Sequence, residues 1–185
     1  EVMKRSVRDL AVTGLENERA LNGQRALVRV DFNCPIKDGV VADNTRIRAA
    51  LPTIAFLRSQ GARVVLMSHL GRPKQGPDPE FSMRPVVLEL ERVLGAPVEF
   101  LTDPLSEQAV HATKHLPRGG VAVIENTRFF PGEEKNDADL AKAFARLGDI
   151  YVNDAFGSAH RAHASTEAVA QLLKPAMPYA ASVEN

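Results

Sequence analysis

The sequence predicts an α/β domain: a doubly wound, mostly parallel sheet with helices on both faces, a Rossmann-like three-layer sandwich. Short runs rich in β-branched residues alternate along the chain with longer segments of helical periodicity. One of these runs, RVVLMS at 63–68, is nearly all apolar, as expected of a strand covered on both faces. No repeat of fixed period and no low-complexity tract interrupts the alternation. At 185 residues the chain suits one domain with its own core, and a second full domain would not fit.

Each element has its own justification. ALVRVD at 26–31 is the first strand, and Lys37-Asp38-Gly39, flanked by Ile36 and Val40, reads as a small hairpin just past its carboxyl end. A helix over 45–60 is expected from the stripe Ile47, Ala50, Leu51, Ile54 and Leu57, with a kink at Pro52 and Gly61 as terminator. RVVLMS at 63–68 is the second strand and ends at His69. The loop GRPKQGPDPEFS leads to a helix with Ser82 as N-cap, carrying Val86, Val87, Leu90, Val93 and Leu94 and closing at Gly95. VEFL at 98–101 is the third strand. Asp103 is expected to cap a helix with Pro104 first and a stripe of Leu105, Ala109, Ala112 and Leu116, ended by the Arg118-Gly119-Gly120 turn. The fourth strand, 121–126, runs into TRFFPGEEKND, whose Asp137 opens a helix with Leu140, Phe144 and Leu147 inward and Gly148 at its end. The fifth strand spans 149–154; after the loop AFGSAHRAHAS a last helix starts near Thr166 and carries Val169, Leu172 and Leu173 until Pro175.

Composition excludes several function classes. Lys plus Arg and Asp plus Glu each number 23, so no global field draws the chain to nucleic acid or an anionic membrane, and any anion specificity must be local. Aromatic residues for stacking on bases are scarce as well, which leaves nucleic-acid binding a weak reading. The single Cys34 cannot form an internal disulfide, and no apolar run approaches the roughly 20 residues of a bilayer span, so a reducing cytoplasm is the expected location. The opening EVMKRSVRDL is basic but has no apolar segment behind it and does not read as a secretory signal.

In an open parallel sheet, ligands sit outside the carboxyl ends of the strands. Strand one delivers Asp31 and Asn33 there, strand two His69 and Arg72, strand four Asn126 and Arg128, and strand five Asp154, then His160, Arg161 and His163. Arg46, at the start of the first helix, belongs to the same end, whereas strand three delivers Thr102 and Asp103 and no base. A chain of zero net charge thus puts four arginines and three histidines within reach of one crevice. The guanidinium fork suits phosphate and carboxylate oxygens, so the expected ligand is a small polyanion. Taken singly, each arginine could be a surface residue in a weak ion pair, and it is their joint placement that argues otherwise. His160 and His163 could contact that ligand or pair with Asp154. His111 and His115 stand four apart on a helix but flank its apolar stripe without an evident third ligand, so no metal site is expected. Cys34 reads as a small buried residue before a nucleophile. Neither G-x-G-x-x-G nor G-x-x-x-x-G-K-[ST] occurs, so the sheet carries no recognisable nucleotide-phosphate loop.

The segments VRVDFNCP (28–35), SHLGRPK (68–74), ENTRFFPGEEKND (125–137) and NDAFGSAHRAHAS (153–165) together resemble the amino-terminal half of phosphoglycerate kinases. Their order and spacing fit that half throughout, over roughly residues 5 to 174. The resemblance implies reversible phosphoryl transfer between 1,3-bisphosphoglycerate and ADP, giving 3-phosphoglycerate and ATP. It implies that Asp31 and Asn33 orient the substrate hydroxyl and its neighbours, that Arg46 approaches the carboxylate that becomes phosphorylated and is the catalytic residue, and that His69, Arg72, Arg128 and Arg161 surround the 3-phosphate. Phe32, Leu70 and Gly71 of the same motifs join the expected substrate-binding set, and His160 and His163 are further candidates.

On this resemblance residues 1–174 form the substrate-binding domain and 175–185 a truncated or altered hinge, because AMPYAASVEN stands where the family usually continues with a Gly-Phe-Leu-Met-Glu-Lys type stretch. The carboxyl-terminal domain that holds Mg-ATP or Mg-ADP is expected to be absent, leaving no nucleotide or metal bound by this chain and little activity alone. The expected partners are the small-molecule substrates and that missing domain, with no nucleic acid, no membrane and a monomeric state. The altered tail also fits a stand-alone binding module for a small phosphorylated acid.

Overall fold

The computed structural model describes residues 21–74, 76–155 and 161–173. The readings of the amino-terminal stretch, of His160 and of the hinge over 175–185 lie outside these residues. Five parallel strands form one sheet: β1 (Arg25–Arg29), β4 (Arg63–Met67), β5 (Val98–Leu101), β6 (Val121–Ile124) and β7 (Ile150–Asn153). The order across the sheet is β5-β6-β4-β1-β7. Between β1 and β4 lie the hairpin β2 (Ile36–Lys37) and β3 (Val40–Val41), then α1 (Thr45–Ser59). The remaining helices are α2 (Arg84–Leu94), α3 (Glu107–His115), α4 (Ala138–Ala145) and α5 (Val169–Leu172).

Side-chain alternation along the strands divides the core into two apolar layers, as a pleated sheet covered on both faces requires. Ala26, Val28, Val64, Leu66, Val121, Val123, Ile150 and Val152 pack on one face with Ile47 and Ile54 of α1 and Val86 and Leu90 of α2. Leu27, Val65, Met67, Ala122, Ile124 and Tyr151 pack on the other with Ala109 and Val110 of α3, Leu140 and Phe144 of α4, and Val169. The expected three-layer architecture is therefore present. No described helix is long and apolar enough to cross a membrane.

Local chemistry explains most boundaries. Asp38 (φ 54) and Gly39 (φ 76) adopt the left-handed backbone that a two-residue hairpin turn needs. Asp137 caps α4 by accepting from Leu140 N at 2.8 Å. Gly95, at φ 68, closes α2.

Two helix starts differ from the sequence reading. The N-cap before α3 is Ser106, whose Oγ accepts from Ala109 N at 3.1 Å, whereas Asp103 supplies a carbonyl to Ser106 Oγ; Leu105 stays 38 % exposed outside the stripe. A hydroxyl that reaches the N3 amide satisfies a helix donor that Asp103, three residues further back, does not bond. Before α2 the expected Ser82 does cap: its Oγ accepts from Arg84 N at 3.2 Å, although the regular helix begins one residue later, after Met83, and Asp78 caps a separate short turn, Pro79–Phe81. The last helix starts early, as a π-helical turn over Ala164–Ala168 whose Ser165 and Thr166 are buried, and Leu172 is exposed.

Candidate functional site

The carboxyl ends of β1, β4 and β6 are tied together by side-chain amides. Asn33 Oδ1 accepts from Gly71 N at 2.8 Å, and Asn126 Oδ1 accepts from Leu70 N at 3.2 Å and Arg128 N at 3.0 Å. Asn126 Nδ2 donates to Leu70 O at 2.7 Å and Phe81 O at 3.0 Å. Arg128 Nη1 closes the ring on Gly71 O at 3.1 Å. Gly71 sits at φ 61, and a Cβ there would stand 2.5 Å from the Phe81 ring, so the loop needs glycine twice over. The result is a rigid shelf that presents loop backbone and bases along the sheet edge.

The expected site residues take different places on it. Arg72 and Arg161 are exposed, and their guanidinium groups make no hydrogen bond or ion pair among the described residues. Arg128 is nearly buried, with Nε 3.8 Å from Glu134 and otherwise unsatisfied. Arg46 Nη1 pairs with both oxygens of Asp31, at 3.0 and 3.1 Å. That pair is half exposed on the arginine side, and such pairs contribute at most about 1 kcal/mol, so a ligand carboxylate can compete for Arg46. Asp43 accepts from Thr45 N and Oγ1 at the start of α1.

Phe32 and Leu70 both lie in the core, their amides donating to Ser68 Oγ and Asn126 Oδ1, and Leu70 also borders a cleft beside Gly71. What they supply is position. Asn33 and Gly71 border the same cleft, of ≈ 430 Å³, which also reaches Cys34 and Phe81. Burial pushes the Cys34 thiol up to about 11, which leaves it protonated at neutral pH.

His69 is buried, and desolvation together with Arg29, Arg128, His163 and Arg161 pushes it down to about 3. The ring is therefore neutral. Its Nδ1 lies 2.8 Å from Arg29 Nη2, and a guanidinium can only donate, so Nδ1 accepts and the proton is on Nε2. His163 feels Arg128, Arg29 and the carboxylates Glu133 and Glu134, and burial lowers it. Asp154 is oriented instead toward Thr53 and is pushed up to about 6 by burial. Asp154 and His163, both beyond the carboxyl end of β7, thus lie in separate neighbourhoods, and a His163–Asp154 pair is not among the contacts formed. His111 and His115 stack at 3.9 Å on the exposed face of α3, and no cluster of three or more His, Cys, Asp or Glu that could hold a metal ion occurs among the described residues.

Sequence reasoning missed Arg29, Ser165 and Glu133, all buried. Arg29 Nε donates to Ser165 Oγ at 3.0 Å, and Ser165 Oγ donates to Glu133 Oε2 at 2.7 Å. Arg29 Nη1 donates to its neighbour's carbonyl, Val30 O. The legible signal was a charged residue inside the otherwise apolar central run VRV; Glu133 and Ser165 lie in two of the segments that carry the resemblance, but no local pattern marks them as buried.

The sequence pattern of the phosphoglycerate kinase family matches residues 16–183. The chain belongs to the phosphoglycerate kinase family. It is 58% identical over 158 residues to a phosphoglycerate kinase of Caulobacter vibrioides, a match that covers 85% of this chain and 40% of that protein. The corresponding protein of Fervidobacterium nodosum is 54% identical over 153 residues, covering 83% of this chain and 38% of its own length. The solved structure of phosphoglycerate kinase from Coxiella burnetii superposes with a TM-score of 0.76 at 41% identity, over 86% of this chain and 39% of that one. This family member thus spans about two fifths of the length of the curated relatives it matches.

Proposed function

We propose that residues 1–174 are the acid-binding part of a phosphoglycerate kinase, which takes 3-phosphoglycerate or 1,3-bisphosphoglycerate while a further domain takes the nucleotide. The observation that supports this reading is that Arg128 and Arg161 act electrostatically on a neutral, Nε2-protonated His69 at the carboxyl edge of the sheet, while Arg128 Nη1 bonds Gly71 O beside exposed Arg72. Such a shelf suits a phosphate, which can take charge-assisted hydrogen bonds from the arginine forks and a neutral one from the imidazole. Asp31 and Asn33 stand on the adjoining loop, where they can orient the hydroxyl and its neighbours. Family membership supports the assignment of the ligand.

A carboxylate acceptor is already ionised at neutral pH, so the reaction needs no general base from this chain. What the residues here supply is alignment and compensation of charge. Arg46 is the catalytic candidate: released from Asp31, it can follow the carboxylate as phosphoryl oxygens gather charge. Mg-ATP or Mg-ADP would be held elsewhere, since the loops after these strands carry no glycine-rich phosphate motif. The lone buried Cys34 goes with a reducing cytoplasmic setting.

Calorimetric titration with 3-phosphoglycerate tests the reading. Binding should be saturable and weaken with salt, and Arg128→Ala and Arg161→Ala should each cost about 1.5–3 kcal/mol of affinity. Unchanged affinity in both variants would overturn the assignment, and saturable binding of ADP to the same shelf would reassign it to nucleotide.

A further inference from the structure

Arg29 carries a charge at a fully buried position, and the carboxylate that compensates it is one hydroxyl away. Desolvation lowers its proton affinity, and Glu133 is the largest influence in the opposite direction. Glu133 is itself 1% exposed. Its two oxygens are both used by Ser165: Oε1 accepts from Ser165 N at 2.8 Å and Oε2 from Ser165 Oγ at 2.7 Å. The backbone repeats the tie, with Ala164 N donating to Glu133 O at 2.9 Å, and Tyr151 OH donates to Ser165 O at 2.7 Å.

The chain of bonds has one direction. A serine hydroxyl has a single proton, and a carboxylate can only accept, so the Ser165 proton points to Glu133 and its lone pairs face Arg29 Nε. Held there, the guanidinium points Nη2 at His69 Nδ1. The imidazole proton is then forced to Nε2.

We propose that Glu133 is a positioning residue for the carboxyl-edge shelf: through Ser165 it orients Arg29, and through Arg29 it selects the Nε2-protonated form of His69. The segment 161–173 and the loop after β6 are thereby coupled to β1 and β4 by a buried polar relay. Such a relay is orienting only when every member is satisfied, because each unsatisfied buried group is costly. Glu133→Gln keeps the shape but removes the charge, and its amide nitrogen must face one of the two Ser165 donors, so both bonds cannot persist. Ser165→Ala keeps the charge and removes only the bridge. The consequence for ligand binding rests on the proposed reading of the shelf as a phosphate site; the tautomer does not.

The test is nitrogen-15 NMR of the histidine rings in the ligand-free chain, with the groups that face His69, namely Arg29, Arg128, Arg161 and His163, left intact. Wild type should show His69 neutral and protonated on Nε2. Glu133→Gln and Ser165→Ala should bring in the Nδ1-protonated or charged form and weaken binding of 3-phosphoglycerate and of inorganic phosphate roughly three- to tenfold, the worth of about one hydrogen bond. Should Glu133→Gln fail to fold, Ser165→Ala decides. Folded variants whose His69 keeps the wild-type ring spectrum overturn the proposal, whatever happens to affinity. A changed ring spectrum in a chain whose wild type binds neither phosphate compound would uphold the relay and reject the phosphate reading.

Discussion

Arg25 and Arg29 stand four residues apart on β1, on one face of the sheet, and both are buried, yet they are neutralised in different ways. Arg25, at the amino end, is closed off on contact. It bonds Asp149 through Nε and Nη2, Thr113 Oγ1 at 2.9 Å, and the carbonyls of Arg146 and Gly148. Among the described residues Arg29, at the carboxyl end, touches a hydroxyl, a carbonyl and an imidazole but no carboxylate. Beyond it, Arg72 and Arg161 have no partner for their guanidinium groups among the described residues. The same side chain on the same strand is a staple at one end and part of a cationic shelf at the other. Carboxylates stand at the carboxyl end too, Asp31 on Arg46 and Glu134 near Arg128, but among the described residues none touches Arg29, Arg72 or Arg161; on the proposed reading an anionic ligand completes that end.

The largest effect that would sharpen this comparison is on stability. Arg25→Ala should cost about 3 kcal/mol, the lower end for breaking a buried pair because Asp149 keeps some solvent contact, and should leave 3-phosphoglycerate affinity unchanged. Arg72→Ala should do the reverse, with stability within about 0.5 kcal/mol of wild type and affinity lowered. Urea denaturation and calorimetry on both variants measure this. An affinity loss in Arg25→Ala equal to that in Arg72→Ala would break the comparison.

A smaller effect comes from His69. Its folded-state value, about 3, lies below the 6.5 of an ordinary histidine, so the unfolded chain takes up the proton first. The stability that this neutral ring contributes is complete above pH 6.5 and is lost as pH falls toward 3. From pH 7 to 5 wild type should therefore lose roughly 2 kcal/mol relative to His69→Gln, in which an amide oxygen can still accept from Arg29. Parallel pH curves for the two proteins would contradict the depressed value.

Smaller still and opposite in sign is Asp154. Its value, about 6, lies above the ordinary 3.8, so ionisation of the unfolded chain first weakens the fold as pH rises from 4 to 6. Asp154→Asn should remove that fall and gain roughly 1 kcal/mol over wild type at pH 7 relative to pH 5, as denaturation midpoints at the two values would show.

Much of the fold was legible because apolar strands and helical stripes are local patterns: VEFL became β5 without change, and the Asp38-Gly39 turn took the expected left-handed backbone. The α3 start was misplaced because Asp103 and Ser106 are both good caps, and only the path of the chain decides which hydroxyl or carboxylate reaches an amide. The exposed arginines were legible from their positions after strands. Glu133 and Ser165 were not, since they lie more than thirty residues apart and nothing local marks either one as buried. Phe32 and Leu70 sit in conspicuous motifs, yet burial gives them to the core.

The central claim is that the two ends of β1 differ in their need for an anion, and amide NMR during titration with 3-phosphoglycerate tests it directly. The predicted result is saturable shifts at Asn33, Gly71, Arg128 and His163, with Arg25, Thr113 and Asp149 unmoved. Shifts of equal size at both ends, or none at the carboxyl end at saturating ligand, would contradict it.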